Sequence, residues 1–420
     1  MTIELPFVME FILYITNRCN LACEMCSQYG ENFKENAPKE MSLSEWDNFF
    51  QSISDVNPKP KLILLGGEPL LYKNFDELIK LIKKYDFPLH IVTNGTLLDK
   101  HFDVLYNSSA TITLSIDGLE DKHDKIRGTK GTFRKIINNI IEANKLQEAG
   151  ANFKLLVNSV ILPDNVDEIA DFLDYMQQFN IEQFVFQHLQ SSSKCLIKKT
   201  NDLWQKYMGK DFGAGFEPKK EYNLDNEYIE RIKNSFKKII KVCKTETFVF
   251  PYLTDEEMPN YYLEKNLDEI RPHLLCATPW LSPSITPDGF VANCIGNTIG
   301  NIREENFWAL WNNEKANKIR TLLCQKGSLD FCKKCCNFYK SNFLIAPNCK
   351  LKLGNKTIVL PAELNFLKPS PDGVFVVDET RCIINNEIPV KALEVHSEKQ
   401  LNLIKETEQI VGFFKDINHH

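Results

Sequence analysis

The chain has 420 residues, 43% of them hydrophobic and 25% charged, with a formal net charge of −6. That length supports a large core with appended modules, the scattered lysine pairs make no basic face for nucleic acid, and no apolar run approaches the roughly 20 residues of a membrane span. The start, Met1 to Pro6, lacks a basic n-region and a cleavage site, so the expectation is a cytoplasmic protein whose thirteen cysteines stay reduced.

Phe7 to Ile15 alternates apolar and aromatic residues and reads as a strand, broken by Thr16-Asn-Arg18 into a loop that carries Cys19-x-x-x-Cys23-x-x-Cys26. Further strands are expected at Lys61–Leu65, Leu89–Thr93, Thr111–Ile116, Phe153–Ile161 and Gln183–His188. Helical patterns fill the gaps at Ser44–Ile53, Phe75–Tyr85, Thr132–Glu148 and Asn165–Phe179. Strands and helices that alternate in this way build a parallel sheet. Ser191 to Phe250 is charged and looks helical, with Tyr228–Val242 its best amphipathic piece, and reads as cover and linker. Cysteines recur from Cys276. Beyond residue 345 come β-like runs at Thr357–Leu360 and Gly373–Val377, a turn at Pro371–Gly373, and a terminal helix at Glu398–Phe414. The expected division is 1–250, 265–345 and a β-rich appendage over 350–420.

Three thiolates at the spacing of Cys19, Cys23 and Cys26 can hold three irons of a [4Fe-4S] cube and leave the fourth open to an outside ligand; a zinc knuckle is the other reading of such a triplet. The strand from Lys61 ends in Gly66-Gly67-Glu68-Pro69, where glycines allow close approach of a ligand and the carboxylate and carbonyls accept from an ammonium group. The next two strands end in Thr93-Asn94-Gly95 and Ser115-Ile-Asp117-Gly118. A second set runs Cys276-x12-Gly289-x4-Cys294, with Cys332-x-x-Cys335 about forty residues on and Pro287-Asp288-Gly289 as a hairpin turn between. Four such cysteines suit an auxiliary [4Fe-4S] cluster or a zinc ribbon. Cys336 is an alternative ligand and Cys349 a candidate for a further cluster; Cys324 is left over, and Cys195, Cys243 and Cys382 have no partner at ligand spacing.

The first triplet, followed by the Gly-Gly-Glu-Pro element, resembles the radical S-adenosylmethionine (SAM) superfamily, and the second set resembles its SPASM and twitch extensions. A full SPASM module continues with a cysteine where this chain has Ser341, so the shorter twitch form, with one auxiliary cluster, fits better. The resemblance implies an α/β fold, a partial (β/α)6 TIM-like barrel with a C-terminal cluster module. It implies two [4Fe-4S] clusters and SAM as cofactors. Cys19, Cys23, Cys26, Cys276, Cys294, Cys332 and Cys335 would be metal ligands, and Gly66, Gly67, Glu68, Pro69, Asn94, Ser115 and Arg127 would bind SAM. Met25, where the family often has an aromatic residue, would pack on the adenine. Asn158 and His188 would reach the same cavity if they face inward. The implied activity is reductive cleavage of SAM to a 5′-deoxyadenosyl radical, followed by hydrogen abstraction in a net oxidation of a small molecule or sugar. The alternative is a maturase that crosslinks, oxidises or epimerises a ribosomally made peptide. A short N-terminus without a leader-binding domain favours the small molecule. A reductant such as flavodoxin or ferredoxin would be the protein partner.

Overall fold

The computed structural model describes residues 8–26, 39–57, 59–210, 212, 220–251, 253–270 and 276–340, and the backbone of four strands beyond them. Seven of its strands come from the first half to two thirds of the chain: β1 Glu10–Thr16, β2 Lys61–Gly66, β3 Leu89–Thr93, β4 Thr111–Ser115, β5 Lys154–Ile161, β6 Gln183–His188 and β7 Glu246–Phe250. They lie in chain order and pair parallel throughout. The sheet is open, not a closed barrel.

Period-2 alternation decides which side chains go into the core. Phe11, Leu13 and Ile15 of β1 pack with Leu62 and Leu64, Ile112 and Leu114, Leu155 and Val157, and Phe184 and Phe186. Against them lie the apolar faces of helices Leu43–Ile53, Phe75–Lys84, Thr132–Glu148 and Ile169–Met176. The alternate residues turn to the opposite face, where Asn158 stands beside Ser115 of β4 in register. His188 is in step with Phe184 and Phe186 and stands opposite Ile161, so it faces the helices and not the face that carries Asn158.

Three local differences from the sequence reading have clear causes. The helix expected from Asn165 starts at Ile169, because the Asn165 side chain is used to staple the preceding turn. Its Oδ1 accepts from Leu162 N, and its Nδ2 donates to the carbonyls of Asp117 and Val160. β7 lies in the segment read as linker; it is short and sits at a sheet edge, where an alternating apolar face is not required. Glu120–Arg127 is a helix that polar composition concealed, whereas Lys194–Met208 falls in the stretch read as helical.

The later segment extends the same sheet. β8 Ser284–Ile285 pairs parallel with β1, and β9 Phe290–Cys294 and β10 Asn297–Asn301 follow antiparallel, giving the order β10-β9-β8-β1-β2-β3-β4-β5-β6-β7. The Pro287-Asp288-Gly289 turn closes the β8–β9 hairpin, with Gly289 at φ +88° and its N–H donating to Thr286 O at 2.9 Å. Four contacts fix the graft to the first strands. Met9 N donates to Leu281 O, Met41 N to Pro287 O, Trp308 Nε1 to Ser52 O and Arg303 Nε to Glu45. At the base of β1 the buried Glu10 carboxylate accepts from Ser282 Oγ at 2.7 Å and from Lys340 Nζ at 2.5 Å.

Beyond residue 345, Cys349–Leu353 pairs antiparallel with Lys356–Leu360, and Leu367–Pro369 with Phe375–Val377, in line with the β-rich expectation. The Pro371–Gly373 turn, the helix over Glu398–Phe414 and Cys382 lie outside the described residues. Among the described residues no helix is long and apolar enough to cross a membrane.

Removing Glu10 strands Lys340 and the Ser282 hydroxyl at the joint between the two parts of the sheet. Glu10→Ala should therefore lower the unfolding free energy by about 1–3 kcal/mol, read by urea titration. An unchanged midpoint would show that this contact does not hold the joint.

Candidate functional site

The cysteine loop has no regular structure of its own, and each neighbouring strand end supplies one grip on it. β2 supplies the first. Gly67 N donates to Thr16 O at 2.8 Å and Glu68 N to Arg18 O at 2.7 Å. A Cβ on Gly66 would sit 2.3 Å from Thr16 O, and one on Gly67 would sit 2.3 Å from Arg18 O. The two glycines therefore serve an approach between backbones, which adds to the reading of them as room for a ligand.

β3 supplies the second grip. Asn94 Nδ2 donates to Asn20 Oδ1 at 2.9 Å, Asn20 Nδ2 donates to Thr96 Oγ1 at 2.9 Å, and Thr96 donates back to Asn94 Oδ1. Glu68 ties β2 to β3. Its buried carboxylate accepts from Thr93 Oγ1 at 2.6 Å, Asn94 N at 2.7 Å and Leu70 N at 3.1 Å. Burial pushes its pKa up to about 7, against those three donors. Pro69, next in the motif, opens the short 3₁₀ turn Pro69–Leu71.

The third grip comes from the helix after β4. Ala22 N donates to Arg127 O and Glu24 N to Ile126 O. Gly128, at φ +71°, ends that helix where a Cβ would meet Ala22 O at 2.6 Å. From β5 and beyond, Lys220 Nζ joins Glu24 at 2.9 Å to Asp164 at 2.7 Å. Asn20, Asp164 and Lys220 were not singled out from sequence, and Asp117 was named there only as part of the Ser115-Ile-Asp117-Gly118 strand end.

Arg127 is buried and lies 2.6 Å from Asp117 through Nε, while Nη1 donates to Cys23 Sγ at 3.7 Å. Ser115 is half-buried at the end of β4. Met25 packs against Ile126, Leu162 and Leu189, together with Val160, Tyr222 and Leu224. Cys19 is exposed and Cys23 and Cys26 half-buried. Burial, with the charges of Cys23, Glu68 and Cys26 close by, pushes the Cys19 thiol up to about 11, while Leu21 N–H pulls the other way.

The second set also gathers. Cys276 and Cys335 are buried, and Cys294 and Cys332 half-buried. Burial first, then the charges of Cys276 and Cys332, push the Cys294 thiol well up. Burial and Cys276 push Cys332 up to about 12. Cys335 is raised by its hydrogen bond to Cys336, by burial and by Cys276 and Cys332. Thiols packed this closely would repel one another once ionised, so as thiolates they need a positive centre, which iron would provide. Among the described residues no three His, Cys, Asp or Glu side chains converge on a single ion. A cube, by contrast, takes its thiolates on separate irons, which spreads them. Both sets fit that donor chemistry. Cys336 adjoins Cys335 and donates to Asn337 Oδ1, and the side chain of Cys324 and that of Cys349 lie outside the described residues.

Glu68 gives a pH test on protein free of iron and SAM. Its pKa is raised from 4.5 to about 7, so the stability it contributes is present below about pH 4.5 and lost as pH rises through about 7. The stability advantage of wild type over Glu68→Gln should shrink between pH 5 and pH 8, measured by chemical denaturation. An advantage that grows with pH would mean that the three donors outweigh burial.

A family model described as the Radical SAM superfamily matches residues 13–176, and one described as an iron-sulfur cluster-binding domain, SPASM, matches 276–336. The sporulation killing factor maturation protein SkfB of Bacillus subtilis is 32% identical over 176 residues, 41% of this chain and 40% of that protein. A GTP 3′,8-cyclase of Synechocystis is 29% identical over 171 residues, 40% of this chain and 50% of that one. This chain thus spans half or less of the length of these relatives. Among solved structures, Streptococcus suis SuiB bound to S-adenosylmethionine matches with a TM-score of 0.55 at 18% identity, covering 79% of this chain and 72% of that one. The anSMEcpe enzyme with bound AdoMet and a peptide matches at 0.53 and 17% identity, covering 79% and 87%. At those identities the likeness shows the fold, and together with the two domain models it places the chain: it belongs to the radical SAM superfamily, with [4Fe-4S] and SAM as the implied cofactors and a C-terminal SPASM iron-sulfur domain.

Proposed function

We propose that this chain is a radical SAM enzyme that oxidises a substrate C–H bond, with Cys19, Cys23 and Cys26 holding the SAM-binding cluster and Cys276, Cys294, Cys332 and Cys335 one auxiliary cluster. The observation that carries the proposal is the set of grips on the cysteine loop from four successive strand ends, which keeps three thiols at one mouth of the sheet. When bound, the reduced open-iron cluster and SAM supply the electron and the hydrogen-atom abstraction, chemistry that belongs to the cofactors.

The chain's own residues do the rest. The loop grips hold the thiols at the carboxyl ends of the strands, where ligands bind in sheets of this kind. Glu68, with its carboxylate taken up by Thr93, Asn94 and Leu70, shapes the Gly66-Gly67 turn, so that backbone carbonyls remain to accept from the ammonium of SAM. Ser115, at the end of β4, is placed for a polar contact, and the Met25 cluster offers an apolar wall for the adenine. Asn158 donates to Gln187 Oε1 at 3.3 Å on the face turned from the helices, which supplies amide groups for the substrate. The four later thiols, Cys276, Cys294, Cys332 and Cys335, would hold the auxiliary cluster, which would supply an electron acceptor for the substrate.

Support for a peptide substrate comes from the maturation function in the name of SkfB and from relatives of this fold solved with peptides. The matches to GTP 3′,8-cyclases support the reading placed first from sequence, a small-molecule substrate. A low-potential reductant of the flavodoxin or ferredoxin kind would deliver the electrons.

Anaerobically reconstituted protein should bind about eight irons, two cubes of four. Changing Cys19, Cys23 and Cys26 together to Ala should leave about four and abolish 5′-deoxyadenosine formation. Persistent 5′-deoxyadenosine from that variant would end the radical SAM reading. Changing Cys332 and Cys335 to Ala, in a variant shown by circular dichroism to keep its fold, should spare SAM cleavage and block the product lighter by two hydrogens. Full product formation would reduce the second cluster to a structural clamp.

A further inference from the structure

Arg127 is bound to the cysteine loop twice. Its carbonyl accepts from Ala22 N at 3.2 Å, and the adjoining Ile126 carbonyl accepts from Glu24 N at 2.9 Å, so the main chain flanks Cys23 on both sides. Its side chain then turns to Cys23 itself, with Nη1 3.7 Å from the sulfur. The other edge of the guanidinium is closed by Asp117, whose Oδ2 lies 2.6 Å from Nε.

Asp117 is fully buried and immobilised in its own right. Its Oδ1 accepts from Val160 N at 2.8 Å, its carbonyl accepts from Asn165 Nδ2 at 2.9 Å, and its N–H donates to His123 Nδ1 at 3.2 Å. Burial works against the charge on both partners, raising the Asp117 carboxyl, while the Asp117 carboxylate and then Cys23 push the Arg127 pKa above its ordinary value; the 2.6 Å contact is the geometry of an ion pair. A planar fork can serve a carboxylate with one edge and a sulfur with another nitrogen, which a lysine ammonium on a flexible stem does less well. An arginine kept for a ligand carboxylate would leave its fork open.

We propose that Arg127, held by Asp117, is a positioning residue that directs a cationic N–H at the Cys23 sulfur and raises the reduction potential of the cluster which that sulfur ligates. This rests on the reading of Cys19, Cys23 and Cys26 as cluster ligands. Reduction brings in one electron from a low-potential donor, transfers no atom and makes no bond. It adds one negative charge beside the positive end of the Asp117–Arg127 pair, in surroundings where burial strengthens the interaction. Hydrogen bonds to ligating sulfur are among the levers by which a protein sets the potential of such clusters.

The test is an EPR-monitored redox titration of the reconstituted full chain without SAM. The first cluster's signal is assigned by its loss in the Cys19/Cys23/Cys26→Ala protein. Arg127→Gln should move its midpoint to more negative potential, and Arg127→Lys, which keeps the charge, should move it less. An unchanged midpoint in Arg127→Gln with full iron content would overturn the proposal and leave Arg127 to SAM alone. Equal shifts in both variants would overturn its electrostatic basis. If Arg127→Gln fails to load iron, pulsed EPR of wild-type protein labelled with ¹⁵N-arginine decides, since the nitrogen beside Cys23 should give a hyperfine coupling and its absence would overturn the contact. A wild-type protein with no signal that the triple variant lacks would instead overturn the assignment of the first cysteine set, and this proposal with it.

Discussion

Everything at this site depends on holding a loop that has no hydrogen-bonded ladder of its own. Between the end of β1 and Cys26 the chain is irregular, and irregular backbone must find partners for its N–H and C=O groups elsewhere. In this fold the partners come from strand ends that lie side by side in chain order. The Gly66–Glu68 turn takes the carbonyls of Thr16 and Arg18, and the helix after β4 takes the amides of Ala22 and Glu24. A parallel sheet makes this possible because every strand finishes at the same edge.

That dependence explains why so much of the first site was legible in the chain. Strands Leu89–Thr93 and Gln183–His188 and helix Thr132–Glu148 fall where their apolar periods put them. The polar and glycine-rich residues after each strand then mark the edge where function gathers. What was not legible is how those residues divide their work. The glycines of Gly66-Gly67 read as room for a ligand, and the distances to Thr16 and Arg18 add a close approach between backbones that no sequence pattern announced. Arg127 and Asp117 stand ten positions apart with a helix between them. No spacing rule pairs them, and only the return of the helix past Cys23 sets the Arg127 guanidinium between the Asp117 carboxylate and that sulfur.

The second cysteine set raises a different constraint, since its members run from Cys276 to Cys335 in sequence. Its hairpin turn and its spacing were readable, but its position was not. β8 pairs in parallel with β1, which makes the strand that leads to the first cysteines also the strand on which the second module is built. Glu10, at the base of β1, then meets Ser282 and Lys340 from either end of the module. One strand therefore carries a cysteine loop at its carboxyl end and an anchor for the second cysteine set at its amino end.

Such sharing has a consequence for how charge is placed. Buried ions are costly unless paired, so a fold that keeps several of them must give each a fixed partner. Here Glu10, Asp117 and Arg127 are buried, and the ion pairs bind distant parts of the chain: Glu10 with the half-buried Lys340 across the joint, Asp117 with Arg127 behind Cys23, and, among half-buried groups, Lys220 with Glu24 and Asp164 over the loop. Each pair costs desolvation and returns position. In the first and third the position gained is that of backbone, whereas in the second it is that of a cation beside a thiol. The same physical device thus serves assembly at two places and electrostatics at one, and the difference lies in what the far side of the cation faces.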